Sequence, residues 1–79
     1  MRFDAARVAY TNALREYPGS LRARFNLARL AMMQGRAAEA EQYLIEILRQ
    51  EPANEQALST LVNLFLADAW YRQALSSLL

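Results

Sequence analysis

The sequence predicts an all-α fold, a stack of five helices packed as antiparallel pairs. Three observations predict it. Apolar residues recur at spacings of three, four and seven, which places them on one stripe of a helix. The pattern returns after 34 residues, and the only two prolines, Pro18 and Pro52, share that spacing. The breaks between the patterned stretches are two to four residues long, and connections that short force neighbouring helices antiparallel.

The first helix is expected from about Phe3 to Tyr17. Pro18 cannot continue it and pushes Tyr17 out of helical dihedrals. The second is expected from about Leu21 to Gln34, with Ser20 as its N-cap and Gly35 supplying the left-handed residue that closes it. The third runs from about Ala37 to Glu51, where Pro52 stops it. The fourth is expected from about Glu55 to Ala67 behind an Asn54 cap, and the fifth from about Trp70 onward behind an Asp68 cap. Ala69 stands where Gly35 stood one unit earlier, so that turn would carry about 1 kcal/mol of left-handed strain or take another shape.

The repeat is legible residue by residue. Ala6, Tyr10, Ala13 and Leu14 precede Pro18 at the offsets at which Ala40, Leu44, Ile47 and Leu48 precede Pro52. Ala74 and Leu78 continue that series, and Ala23, Leu27 and Leu30 map onto Ala57, Leu61 and Leu64. These residues resemble the tetratricopeptide-repeat family. In the unit Leu21 to Asn54, Ala23, Leu27, Gly35, Glu39-Ala40, Leu48 and Pro52 stand where that family places such residues. The resemblance implies a right-handed superhelical stack in one domain, residues 1–79. Residues 1–20 would be the second half of a repeat, 21–54 a complete repeat and 55–79 most of another. Small Ala6, Ala40 and Ala74 would let paired backbones approach, and Tyr10, Leu44 and Leu78 would reach the next helix. Two departures stand out. Arg24 and Leu58 occupy the site of a favoured aromatic, and Val62 occupies that of a small residue which Ala28 supplies one unit earlier.

Composition narrows the function. The chain carries nine basic and eight acidic residues, for a net charge of +1, and the basic residues are all arginine. That balance gives no reason to expect nucleic acid or an anionic membrane surface. No apolar run approaches the ~20 residues of a membrane span. Cysteine, histidine and lysine are absent, which removes thiolate metal sites, the commonest general base and any base for a serine nucleophile. No Gly-rich phosphate loop and no metal-ligand spacing is present. No catalysis, cofactor or metal is therefore expected. Glu39, Glu41 and Glu46 read as a solvated face balanced by Arg36 and Arg49. The segment Met1-Arg2-Phe3-Asp4 has no signal-peptide core, so a cytoplasmic location is expected, or a periplasmic one if the chain is a piece of an exported protein.

In the family that the sequence resembles, the first helix of each pair lines a concave face that binds other proteins. The resemblance places Arg22, Phe25, Asn26, Arg29 and Met33 there from the second helix, and Gln56, Ser59, Thr60 and Asn63 from the fourth. Arg22 and Arg29 lie seven apart and would face carboxylates of a partner peptide, with Phe25 and Met33 giving apolar contact. The bland alternative makes the arginines a solvated face and Phe25 part of the core. Some family members clamp a C-terminal carboxylate; Asn26 matches one member of that clamp, but Gln56 and Thr60 cannot supply its basic residues. Trp70, Tyr17, Tyr43 and Tyr71 read as half-buried residues, and Met32 as packing. Repeat stacks need caps, because one unit cannot cover its own apolar face. Phe3, Ala6, Tyr10, Ala13, Leu78 and Leu79 are therefore candidates for self-association. The expected partner is another protein or peptide, or a second copy of the chain.

Overall fold

A computed structural model describes residues 3–78. It contains four helices, α1 (Phe3–Glu16), α2 (Leu21–Met33), α3 (Ala37–Gln50) and α4 (Glu55–Leu78), and no strand among the described residues. Leu79, one of the expected self-association residues, lies outside them.

The first three helices end where the sequence expects, to within a residue. The Tyr17 amide donates to the Ala13 carbonyl at 2.8 Å, and Pro18 ends α1 immediately after. Ser20 is extended, and its Oγ accepts from the Ala23 amide at 3.2 Å, satisfying an orphan donor at the start of α2. At the other end Gly35 takes φ +75. Its amide donates to the Met32 carbonyl at 3.1 Å, and the Arg36 amide reaches back to Ala31 at 2.8 Å. That pair of bonds is a Schellman closure, and it reverses the chain within three residues. Asn54 caps α4, its Oδ1 accepting from the Ala57 amide at 2.9 Å.

The core lies between α2 and α3. Ala28, Ala31, Ala40, Leu44, Ile47 and Ala57 form one buried cluster, with Leu21, Phe25, Tyr43, Leu48, Leu61 and Leu64 packed around it. Alanines on both sides of the crossing let the two backbones approach, and Leu44 and Ile47 fill the space beside them. Full burial of each of these two stabilises the fold by roughly 1.5–3 kcal/mol. α1 contributes no fully buried residue, and α4 contributes only Ala57.

Three expectations need correction. The fourth and fifth helices are one unbroken helix of 24 residues. Neither Asp68 nor Ala69 stops a helix. Alanine is the best helix former, and no glycine or proline lies between Asn54 and Leu78. Asp68, expected as an N-cap, sits inside α4 and pairs with Arg72 at 3.2 Å, one turn on. Trp70 is therefore 70% exposed on a helix surface instead of half-buried in a turn, and Tyr71 and Tyr17 are exposed as well. The acidic residues of α3 differ too. Glu39 accepts from Arg7 of α1 at 2.7 Å, and Glu46 accepts from Arg24 of α2 at 3.3 Å. The expected Arg36–Glu39 pair is present at 3.6 Å, and the two longer-range contacts additionally tie α3 to α1 and α2. Tyr43 does pack against the core, while Met32 is at the edge of exposure.

Candidate functional site

An open groove of about 470 Å³ runs along α2 to the start of α4. Leu21, Arg22, Phe25, Asn26 and Arg29 form its α2 wall, and Gln56 stands opposite. Ile47, Glu51 and Asn54 complete it from the end of α3 and the following turn. The i, i+3, i+4, i+7 spacing of Arg22, Phe25, Asn26 and Arg29 puts all four on one side of α2. The opposite side of the helix carries Ala28 and Ala31 into the core, and Ala23, Leu27 and Leu30 are buried on the flank between. Phe25 lies at the boundary, half-buried and in contact with the core cluster. It lines the groove and supports the core at once.

The charges in the groove are unevenly committed. Among the described residues the ion pairs are Arg7–Glu39, Arg24–Glu46, Arg36–Glu39 and Arg72–Asp68, so Arg22 and Arg29 have no acidic partner within pairing distance. Glu51 is held by Asn54, whose Nδ2 donates to its Oε1 at 3.1 Å, at the far end of the groove from Arg29. Two guanidiniums with unused donors beside an aromatic side chain suit a carboxylate flanked by an apolar group.

A second, smaller cleft of about 140 Å³ opens between α1 and α2, lined by Ala6, Tyr10, Asn26, Arg29, Leu30 and Met33. Asn26 and Arg29 belong to both hollows, so the α2 surface forms one continuous trough. Met33 therefore stands on the α1 side of that trough. Ser59 and Asn63 are exposed on α4 and line neither hollow, and the Thr60 hydroxyl donates to the Gln56 carbonyl of its own helix at 2.7 Å. The self-association candidates on α1 are placed differently from expectation. Ala6 and Tyr10 face α2 across the small cleft, and Phe3 and Ala13 are half-buried, while the outward side carries Asp4, Thr11, Asn12 and Arg15, with Val8 exposed among them. Leu78 is 82% exposed.

Sequence reasoning had no hold on Leu21, Ile47, Glu51 and Asn54 as groove residues. Leu21 and Ile47 count as core on a helical stripe. Glu51 and Asn54 flank a turn whose position beside α2 appears only once three elements are packed. A usable signal was the pair of polar residues around Pro52-Ala53, because a short turn between antiparallel helices must sit at the mouth of whatever they enclose.

The helices and the open trough define a helical-repeat protein whose polar surface lies along one helix of a pair. The chain belongs to the tetratricopeptide-repeat family, whose model matches residues 2–65. Members of that family generally mediate protein–protein interactions and are typically not catalytic. No curated protein and no solved structure matches the chain. The match ends at Phe65, inside α4, so the second half of that helix lies beyond it. Among the described residues no helix is long and apolar enough to cross a membrane, and no cluster of acidic side chains could hold a metal ion.

Proposed function

We propose that this chain is a non-catalytic scaffold that holds an acidic, partly apolar peptide or helix of another protein along the α2 trough. The observation that carries this reading is the trough itself, in which Arg22 and Arg29, both without acidic partners among the described residues, flank Phe25 opposite Gln56. In this reading residues 21–54 are the complete repeat of a right-handed stack, with α1 as the second half of the preceding unit and α4 opening the next. Met33 extends the apolar contact toward Tyr10, and Ser59 and Asn63 form an outer polar shoulder on α4. The bound segment would place carboxylates at the two arginines, two helical turns apart, and an apolar side chain on Phe25.

Panning a displayed peptide library on the immobilised chain tests the proposal. The expected result is enrichment of sequences with spaced Asp or Glu around an apolar residue, and loss of that enrichment on an Arg22→Glu/Arg29→Glu variant of unchanged helicity. Enrichment that survives the double charge reversal, or no enrichment at all, overturns it.

A further inference from the structure

The cleft between α1 and α2 differs in chemistry from the groove it joins. The groove is lined mainly by polar side chains, Arg22, Asn26, Arg29, Glu51, Asn54 and Gln56. The cleft is lined mainly by Ala6, Tyr10, Leu30 and Met33, with Asn26 and Arg29 on the side that the two hollows share. Leu30 is buried, Ala6 and Tyr10 are half-buried, and Met33 is exposed, so an apolar lining runs from a shielded floor to an open rim. The volume is about 140 Å³. At the ~30 Å³ that one molecule occupies in liquid water, that is room for about four or five non-hydrogen atoms. The side chain of leucine, isoleucine or methionine fills such a space, and the ring of phenylalanine overfills it.

We infer that the cleft takes an aliphatic side chain of leucine size from the bound peptide, and that this residue lies next to an acidic one whose carboxylate pairs with Arg29. The inference rests on the trough reading for the path of the peptide and adds to it an apolar anchor. Arg29 joins the two parts. It lines both hollows, it is exposed, and it has no acidic partner within pairing distance among the described residues. The groove lies on the α4 side of α2 and the cleft on the α1 side, with Asn26 and Arg29 on the ridge between them. In an extended segment neighbouring side chains point to opposite sides. Laid along this ridge, such a segment sends an acidic side chain to Arg29 and the next side chain into the cleft. Arg29 and Met33 are one turn apart, ~6 Å along α2, which is the length of about two extended residues. Asn26 carries both donors and an acceptor for the peptide backbone as it crosses.

The anchor supplies what the charges lack. An exposed guanidinium is screened by water and salt, and any acidic sequence satisfies it. A cleft with a buried floor responds to the size of the side chain that enters, because each methylene withdrawn from water adds to binding and each one too many must displace its neighbours. Selection among acidic peptides therefore rests on the residue beside the acid.

Met32 and Met33 are neighbours, and Met33 lines the cleft while Met32 lines neither hollow. Methyl-labelled methionine therefore gives a reporter and its control in one NMR spectrum. The probes are the capped dipeptides acetyl-Glu-Leu-amide and acetyl-Leu-Glu-amide, titrated to about 20 mM because fragments this small bind in the millimolar range. The expected result is a saturable shift of the Met33 methyl with Met32 nearly still, and nuclear Overhauser contacts from the leucine methyls to the Tyr10 ring. Alanine in place of the probe's leucine is expected to weaken binding about tenfold, and glutamine in place of its glutamate about fivefold. Phenylalanine in place of the leucine is expected to weaken it about fivefold. Tyr10→Ala widens the cleft and is expected to reverse the order of leucine and phenylalanine. Ala6→Leu fills the cleft from within and is expected to remove the Met33 shift with helicity unchanged. No saturable shift of Met33, equal shifts of both methionines, or indifference to the size of the apolar residue overturns the inference. So does a Met33 shift that follows protein concentration without any probe, which puts a second copy in the cleft. Library peptides that enrich on the trough and leave Met33 unmoved sink this inference alone, whereas dipeptide binding in the cleft without library enrichment sinks the trough reading alone.

Discussion

Between Leu21 and Gln50 the chain turns back on itself, and one repeat further on, between Glu55 and Leu78, it runs straight. The apolar pattern is shared, and the junctions differ. Gln34-Gly35-Arg36 becomes Asp68-Ala69-Trp70. Gly35 adopts φ +75 without a side chain to resist it, whereas an alanine there costs roughly 1–2 kcal/mol. Strain of that size does not by itself outweigh burial of Leu78 and its neighbours, at roughly 1.5–3 kcal/mol for each large side chain. A straight α4 escapes the strain, packs Ala57, Leu61 and Leu64 against the core and leaves Leu78 exposed. The comparison teaches that a repeat pattern specifies which faces must meet, and the turn residue decides whether they meet within one chain.

The largest test of this contrast compares Leu44 with Leu78, which hold the same place in successive units. Leu44 is fully buried and Leu78 almost fully exposed. Leu44→Ala is expected to cost about 2–5 kcal/mol in urea denaturation, enough to leave so small a domain largely unfolded. Leu78→Ala, measured at concentrations where the chain is monomeric, is expected to stay within about 0.5 kcal/mol. Equal losses for the two would mean that the second half of α4 packs within its own chain.

Exchanging the junction residues gives the next effect. Gly35→Ala is expected to destabilise the fold by about 1–2 kcal/mol, because the Schellman closure needs a left-handed residue there. Ala69→Gly is expected to cost about 0.5–1 kcal/mol of helix propensity and to lower the helical signal in circular dichroism. A rise in stability on Ala69→Gly at low concentration would instead show α4 closing into a hairpin of its own.

The capping residues sharpen the contrast further. Asn54 holds the Ala57 amide at the start of α4, so Asn54→Ala is expected to cost about 1 kcal/mol. Asp68 follows in the pattern by the same logic but caps nothing. Asp68→Ala should be neutral to within about 0.5 kcal/mol, the better helix propensity offsetting the lost pair with Arg72. Thermal melts of the two variants side by side measure the difference.

Much of this was readable in the residues. Pro18, Gly35 and Pro52 act through their own backbone restrictions, and Ser20 and Asn54 through a side chain that bonds three residues away, so each speaks locally. The alanines and leucines of the α2–α3 seam were equally plain from their spacing. The junction at Asp68-Ala69 was not, because both residues are at home in a helix and in a loop, and the choice rests on what the flanking stretches touch. Arg22, Phe25, Asn26, Arg29 and Gln56 come to one trough because α2 has a polar side at that spacing. The trough's remaining wall, from Ile47, Glu51 and Asn54, is a property of three packed elements. Arg24 shows the same limit. It stands where the family favours an aromatic, and only the fold reveals that its side chain is 16% exposed and reaches Glu46 across the pair.

That reach supplies the smallest and most discriminating prediction. Arg24–Glu46 joins two helices at 3.3 Å, with the arginine mostly shielded and the glutamate 46% exposed. Arg72–Asp68 lies within one helix, at 3.2 Å, with both side chains more than half exposed. Exposed pairs are screened by water and must immobilise two long side chains, so their coupling is near ~0.3 kcal/mol. Shielding one partner reduces the screening, and Arg24 is already held by its Nη1 donating to the Ser20 carbonyl at 3.3 Å, so less entropy is lost when it pairs. Double-mutant cycles through Arg24→Met with Glu46→Gln, and Arg72→Met with Asp68→Asn, are expected to give about 0.5–1 and about 0.3 kcal/mol respectively. Raising salt from about 0.1 to 1 M should remove the second coupling and leave most of the first, since screening acts weakly on a shielded pair. If both couplings vanish together, Arg24 stabilises the α2–α3 pair by the packing of its aliphatic stem alone, and its charge contributes nothing to the fold.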